Sequence, residues 1–392
     1  MNQIACPHTP FRWDLYRADS PLFLATPAHT LLAIGRSDVI PHGKTSLVER
    51  LATVLHQAQA EGGAGATVVG AVPFDTNAPA ALRVTKGMIR AAPLGLPHAP
   101  ARAPSGKRAA IREVPSAHAF ATAVAHAIAR IHTGELEKVV LARTLEVDCE
   151  DLVEVAPLVA SLAACNPRGY TFSVGIGDGR TLLGASPELL VSRFGNVVRA
   201  NPLAGSAPRS SNPIEDRRSA EILLNSVKDL EEHRVVVDAV RDSLAPLCRD
   251  LDVPARPSLI DTDTMWHLST VVSGVTDADA LTLALALHPT PAVCGTPREA
   301  ARDFIRAAEP FDRGFYSGML GWLDGRGDGE WIVTIRCAEA VDRTLRLFAG
   351  AGIVAKSTPG GECAETAAKF KTMLDALGIR SMRSAGDERS WT

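Results

Sequence analysis

With 392 residues, the chain reaches the size at which one hydrophobic core stops growing, so one large domain or two fused lobes are expected. Apolar residues make up 46% and charged residues 22%, which excludes a disordered, fibrous or collagen-like protein. Charge is nearly balanced, 41 basic against 44 acidic residues for a net −3. No basic excess is available for a nucleic-acid backbone or an anionic membrane, and the partner is expected to be a small molecule.

Along the chain, Leu22 to Ile34 reads as strand, Ser46 to Ala60 as helix, and Ala66–Pro73 and Leu82–Ala91 as strands. Residues 92–115 are rich in Pro and Ala and have the composition of a surface loop. Ser116 is placed to N-cap a helix running to Ile131, which His132-Thr133-Gly134 closes. Lys138-Val139-Val140-Leu141-Ala142 reads as a buried strand, and residues 170–204 as three strands joined by Gly-rich turns. One long amphipathic helix is expected over 215–245, three strands over 314–353, and a last helix from Glu362 to Leu377. Strands cluster as hairpins with helices between the clusters, which predicts an α+β fold with large antiparallel sheets.

Several motifs are weaker than they look. Gly43-Lys44-Thr45-Ser46 ends like a phosphate-binding loop, but Asp38 stands where that loop needs glycine, so a helix start is expected. Gly175-Ile176-Gly177-Asp178-Gly179 is followed by strand-like residues and reads as a hairpin turn, not a dinucleotide fingerprint. The seven cysteines include no C-x-x-C pair, so no disulfide framework or thiolate zinc site is expected, and a reducing cytoplasm fits. The N-terminus lacks a basic start before an apolar core, and no apolar run is long enough to span a membrane.

Two helices carry paired carboxylates three residues apart, Asp229 with Glu232 and Glu362 with Glu365. Each pair shares a helix face. A hard divalent cation such as magnesium needs only one or two protein carboxylates and keeps several waters. Solvated helix faces carry the same spacing, and acids in a first turn suit the helix dipole.

From Ser116 to Leu377 the chain resembles the chorismate-utilising enzymes, and within them the siderophore-pathway isochorismate synthases. The blocks that carry the resemblance run in order: Lys138 to Arg143, Gly184 to Leu189, Asn201 to Ser206, Glu232-His233-Arg234, Trp266-His267-Leu268 and His288 to Gly295. They continue with Glu309 to Arg313, Thr334 to Cys337, Ala349 to Ile353, and Glu365-Thr366 with Lys369. The resemblance implies an α/β sandwich of two large antiparallel sheets with helices packed outside and the site in a central cleft. Residues 1–392 would form a single two-lobed catalytic domain, with 116–377 as the chorismate-binding core.

By the same resemblance, the reaction is the magnesium-dependent isomerisation of chorismate to isochorismate, an isomerase activity feeding siderophore synthesis. Lys138 is implied as the base that activates water and Glu188 as the acid that protonates the departing hydroxyl. Glu232 and Glu365 are implied as principal magnesium ligands, with Asp229 and Glu362 acting through water. Arg336 and Lys369 would hold substrate carboxylates, Gly205, Ser206 and Gly350 would let the backbone approach, and Ala292, His267 and Tyr316 would line the ring pocket. Lysine at 138 argues for water over ammonia as nucleophile. Ala292 fits a synthase that stops at isochorismate, whereas Tyr316 leans towards relatives that eliminate pyruvate and release salicylate; a non-catalytic chorismate-binding protein is the third reading. A cytoplasmic monomer, with neither nucleic acid nor membrane as partner, is expected.

Overall fold

The computed structural model describes residues 9–60, 65–95, 107–262 and 264–381. Among them lie eight α-helices: α1 (Leu47–Ala60), α2 (Ala117–His132), α3 (Val155–Ala164), α4 (Pro213–Asn225), α5 (Val227–Leu244), α6 (Ala280–Leu287), α7 (Arg298–Ala308) and α8 (Pro359–Ala376). Local chemistry explains their starts. Ser46 and Glu49 form a reciprocal capping box at α1, so the Gly43–Ser46 segment is a helix start, as expected. Ser116 accepts from the Ala119 N–H to cap α2.

The strands form one continuous hydrogen-bonded antiparallel ribbon whose two halves are the two large sheets of the expected α+β sandwich. One half runs, neighbour to neighbour, through Cys248–Asp252, Val272–Thr276, Val197–Asn201, Leu189–Phe194, Gly329–Val333, Met319–Asp324, Thr67–Val72 and Ala81–Ala91. The hairpin of Thr30–Val39 with Leu22–Ala25 carries the ribbon onward. The other half follows through Tyr170–Gly177, Arg180–Ser186, Cys337–Val341, Thr344–Ile353, Lys138–Cys149 and Lys107–Val114. All these pairings are antiparallel; Ile379–Ser381 adds a parallel edge beside Lys107–Val114. A separate small sheet holds Leu203–Pro208, Met265–Ser269 and Ser258–Asp261.

Side-chain alternation folds the ribbon on itself. Along Thr67–Val72, Val69 and Ala71 join a core that also takes Leu22, Leu24, Phe172, Leu182 and Phe348 from the other half. Val68 and Val72 point the opposite way, into a core with Leu51 and Leu55 of α1 and Leu244 of α5. Phe23 and Leu32 likewise face a third core with Leu158 and Leu162 of α3 and Phe370 of α8. A strand buried on both faces reads as a continuous apolar run, which is why Thr67–Val72 was recognisable.

Several local expectations need correction: residues 170–204 hold four strands and the start of a fifth rather than three, and residues 314–353 hold four rather than three. The long helix over 215–245 is two helices broken at Ser226, whose backbone is extended (ψ 113°) and whose side chain caps the Asp229 N–H. The hydroxyl thereby starts a second helix where a continuous one was expected. The Pro/Ala-rich segment is not all loop: Lys107–Val114 pairs in register with Lys138–Cys149, while residues 96–106 lie outside the described part. The Leu22–Ile34 run is a hairpin whose turn is closed by Thr26, which accepts from Ala28 and His29 N–H.

A buried ion pair completes the ribbon where a strand is missing. Beside Lys138–Cys149, one flank is covered by Gly295–Thr296 at residues 138–139 and by Lys107–Val114 from Thr144 onward. In the gap, Arg313 Nη2 donates to Val140 O at 2.7 Å and Glu309 Oε1 accepts from the Ala142 N–H at 2.8 Å. Glu309 and Arg313 bind each other twice, at 2.8 and 2.6 Å, and Arg313 also donates to Val293 O. Both side chains are about 3% exposed. Removing one partner strands the other charge in the core, so Arg313→Met should cost about 3–5 kcal/mol in urea unfolding, with the Glu309→Gln/Arg313→Met double variant milder than the sum. A single-variant loss under about 1 kcal/mol would show that the gap closes without the pair.

Candidate active site

One cavity collects most of the residues singled out in the sequence. Glu188, Gly205, Ser206, Glu232, His267, Ala292, Tyr316, Arg336, Gly350, Glu365 and Lys369 all line it. Gly350 comes from the ribbon, Gly205, Ser206 and His267 from the small sheet, Glu232 from α5, Glu365 and Lys369 from α8, and Glu188, Ala292, Tyr316 and Arg336 from the connections between elements. Lys138 packs behind Glu232, its Nζ 2.8 Å from Glu232 Oε1 and its side chain fully buried. Asp229 and Glu362 sit next to the cavity rather than in its wall.

The floor is a strand made narrow on one face. In Ala349-Gly350-Ala351-Gly352 the glycines share a face by the period of two. A Cβ on Gly350 would stand 2.6 Å from the Tyr316 hydroxyl, and one on Gly352 would stand 2.4 Å from Glu232 Oε1. Gly352 thus makes room for the Lys138–Glu232 pair, a role not read from the sequence although the alternation signals it. Gly205 has φ +79° and a Cβ there would meet the Asp229 Cβ at 2.9 Å, so glycine is required twice over. Tyr316 stacks on Phe348 with ring centroids 4.9 Å apart.

Burial sorts the charges. Burial pushes the Glu188 carboxyl up to about 8, against the pull of a hydrogen bond from the Leu203 N–H and of the Lys138 charge. Glu188 therefore keeps its proton at neutral pH. His267 is driven well below its ordinary value by burial, then by Arg336 and Lys369, so it is a neutral imidazole, and its Nε2 is buried without a partner. Burial also pushes Glu365 up, but Lys369, through its charge and a 2.6 Å hydrogen bond, with Lys228 and Arg336, brings it below the usual range. Lys369 also donates to Gly350 O at 2.7 Å.

The carboxylates of α5 and α8 form a single acidic cluster. Asp229 and Glu362 are raised chiefly by burial, and Glu365 raises both. Ser226 donates to Asp229, and Lys228 Nζ lies 3.4 Å from Glu362 Oε1. Glu362 Oε2 is buried without a hydrogen-bond partner. Among the described residues no three of His, Cys, Asp or Glu converge as a ready-made metal cage. The donor set nevertheless suits magnesium: hard oxygens, surplus negative charge, an orphaned buried carboxylate oxygen, and no need for more than one or two direct protein ligands.

His233, next to Glu232, joins α5 to the small sheet. Its ring lies 3.2 Å from Ala204 O and 2.7 Å from Thr270 Oγ1. Burial holds it down to about 4, so it is neutral: Nδ1–H donates to the carbonyl and Nε2 accepts from the threonine hydroxyl. Ala204 adjoins Gly205 and Ser206, so this bond fixes one cavity wall relative to Glu232.

Residues 52–378 match the family model described as chorismate binding enzyme. The chain belongs to that family. It is similar to the isochorismate synthase DhbC of Bacillus subtilis, 50% identical over 91% of this chain and 93% of that protein. The vibriobactin-specific isochorismate synthase of Vibrio cholerae is 42% identical, with 93% of each chain covered. Among solved structures, DhbC of Bacillus anthracis superposes with a TM-score of 0.88 at 47% identity over 94% of this chain and 99% of that one. The MenF protein of Escherichia coli shares the fold at a TM-score of 0.79 and 23% identity over 96% of each chain. The family's α+β fold is therefore the fold of this chain.

The raised Glu188 carboxyl has a consequence for stability. Between its ordinary value of 4.5 and about 8, the folded protein binds a proton that the unfolded chain has lost. Its contribution to stability is complete below about 4.5 and disappears as pH rises through about 8. Urea unfolding across pH should show the wild type losing stability relative to Glu188→Gln from about pH 5 to about pH 9. Parallel curves would mean that the buried carboxyl is ionised throughout.

Proposed function

We propose that the chain is an isochorismate synthase, an isomerase that moves the ring hydroxyl of chorismate from C4 to C2. The observation that carries this reading is a carboxylic acid that stays protonated at neutral pH, Glu188, in the same cleft as a fully buried lysine, Lys138. Relatives at 40–50% identity that bear the name isochorismate synthase support it. One of them is named as vibriobactin-specific, which favours a place in siderophore synthesis.

The reaction needs a base and an acid on the same ring. Lys138, once its ammonium has given up its proton, takes a proton from water as the oxygen bonds to C2. The ring double bonds shift, the C4–O bond breaks, and Glu188 gives its proton to the departing hydroxyl, which leaves as water. Atoms balance: one water enters and one leaves. Arg336 offers a planar fork to a substrate carboxylate, and Lys369 a second positive charge. His267, neutral and with Nε2 unpartnered, presents a hydrogen-bonding edge to the substrate. Gly205, Ser206 and Gly350 let the backbone come close, and Ala292 leaves space for the ring. Magnesium, when bound, offsets the charge of a substrate carboxylate; Glu232 and Glu365 would hold it, with Asp229 and Glu362 acting through water.

Tyr316 favours a second reading, in which pyruvate is also eliminated and salicylate released. The decisive experiment incubates the purified protein with chorismate and magnesium and separates the products. Isochorismate should accumulate, and chelation should stop it. Lys138→Ala and Glu188→Gln should each lower kcat at least about 100-fold with little change in chorismate affinity. Salicylate and pyruvate appearing as fast as chorismate disappears would establish the second reading instead.

A further inference from the structure

Three lysines lie against the acidic cluster, and the reaction employs two. Lys138 pairs with Glu232 and Lys369 with Glu365. The third, Lys228, is outside the cavity wall, one residue before Asp229 in the first turn of α5. Its side chain is about one-third exposed, and its ammonium lies 3.4 Å from Glu362 Oε1. Burial works against its charge, but Glu362, Glu232, Asp229 and Glu365 all favour it. One monovalent cation on the rim thus acts on all four carboxylates.

We propose that Lys228 is an internal counter-ion of the carboxylate cluster that weakens its grip on a divalent cation. The inference rests on the reading of that cluster as the magnesium site. Carboxylates from α5 and α8 act on one lysine, and the Lys228 ammonium bridges the two helices by pairing with Glu362. A divalent ion among the same oxygens meets a like charge a few ångströms away. In a partly buried setting, that repulsion is screened far less than in bulk water. The lysine therefore offsets part of the cluster's charge and keeps the ion exchangeable. No step of the reaction requires it.

Manganese is a suitable probe because it shares magnesium's preference for octahedral oxygen ligands and is visible by electron paramagnetic resonance. Free Mn²⁺ would be titrated against the full-length wild type, Lys228→Met, Lys228→Gln and Lys228→Arg at fixed ionic strength. The two uncharged variants should bind about 10–100-fold tighter than wild type, and Lys228→Arg should stay near wild type. In chelator both uncharged variants should melt below wild type, and Mn²⁺ should raise their melting temperatures by more. Equal or weaker binding by both uncharged variants, or Lys228→Arg behaving as they do, would overturn the proposal. Absence of saturable binding to the wild type would remove the metal reading itself, and this inference with it.

Discussion

The ion pair between Glu309 and Arg313 stands in for a strand that the sheet lacks, and the site depends on that substitution. Val140 and Ala142 lie on one central strand, two and four residues beyond Lys138. Their outward backbone groups would be orphaned in the core, at a cost comparable to lost hydrogen bonds. Glu309 satisfies the Ala142 N–H, and Arg313 satisfies the carbonyls of Val140 and Val293. Arg313 also lies over the rings of Phe74 and Tyr316, at 4.7 and 5.8 Å. One pair thus ties together the strand that carries Lys138, the turn that carries Ala292, and the aromatic wall of the cavity.

Within the cleft, burial does different things to chemically similar groups. Glu188 and Glu365 are both glutamates that line the cleft. Glu188 has only a backbone N–H and the Lys138 charge to oppose desolvation, and it remains an acid. Glu365 has a lysine hydrogen-bonded to it at 2.6 Å and becomes a carboxylate. The elements that carry them supply that difference in partners: α8 puts Lys369 four residues after Glu365 on one face, whereas Glu188 comes from a strand junction where Ser186 Oγ accepts from its N–H.

Much of this was legible in the sequence because it is local. Ser116 as a cap, the Gly175–Gly179 turn and the apolar run at Thr67–Val72 follow from residue type and period alone. The identity of the site residues came from resemblance, since Lys138 or Glu188 in isolation is equally a strand-end lysine or a turn carboxylate. Non-local pairing was not legible. Lys107–Val114 lies in Pro- and Ala-rich sequence and becomes a strand only because Lys138–Cys149 offers it an edge. The break at Ser226 escaped an amphipathic pattern that runs on through it. The continuity between the two halves depends on the strand Leu22–Ala25 pairing on both of its edges, which no local signal announces.

The central claim is chemical: the C2 oxygen of the product comes from water, activated on one side of the ring while a protonated carboxyl releases the C4 hydroxyl. The most direct measurement is a short incubation with chorismate in water labelled with oxygen-18, followed by mass spectrometry of the product. The account predicts isochorismate that carries one solvent oxygen, at the C2 hydroxyl, from the first turnover onward. Unlabelled isochorismate would mean that the hydroxyl travels within the substrate, and the roles given to Lys138 and Glu188 would be wrong.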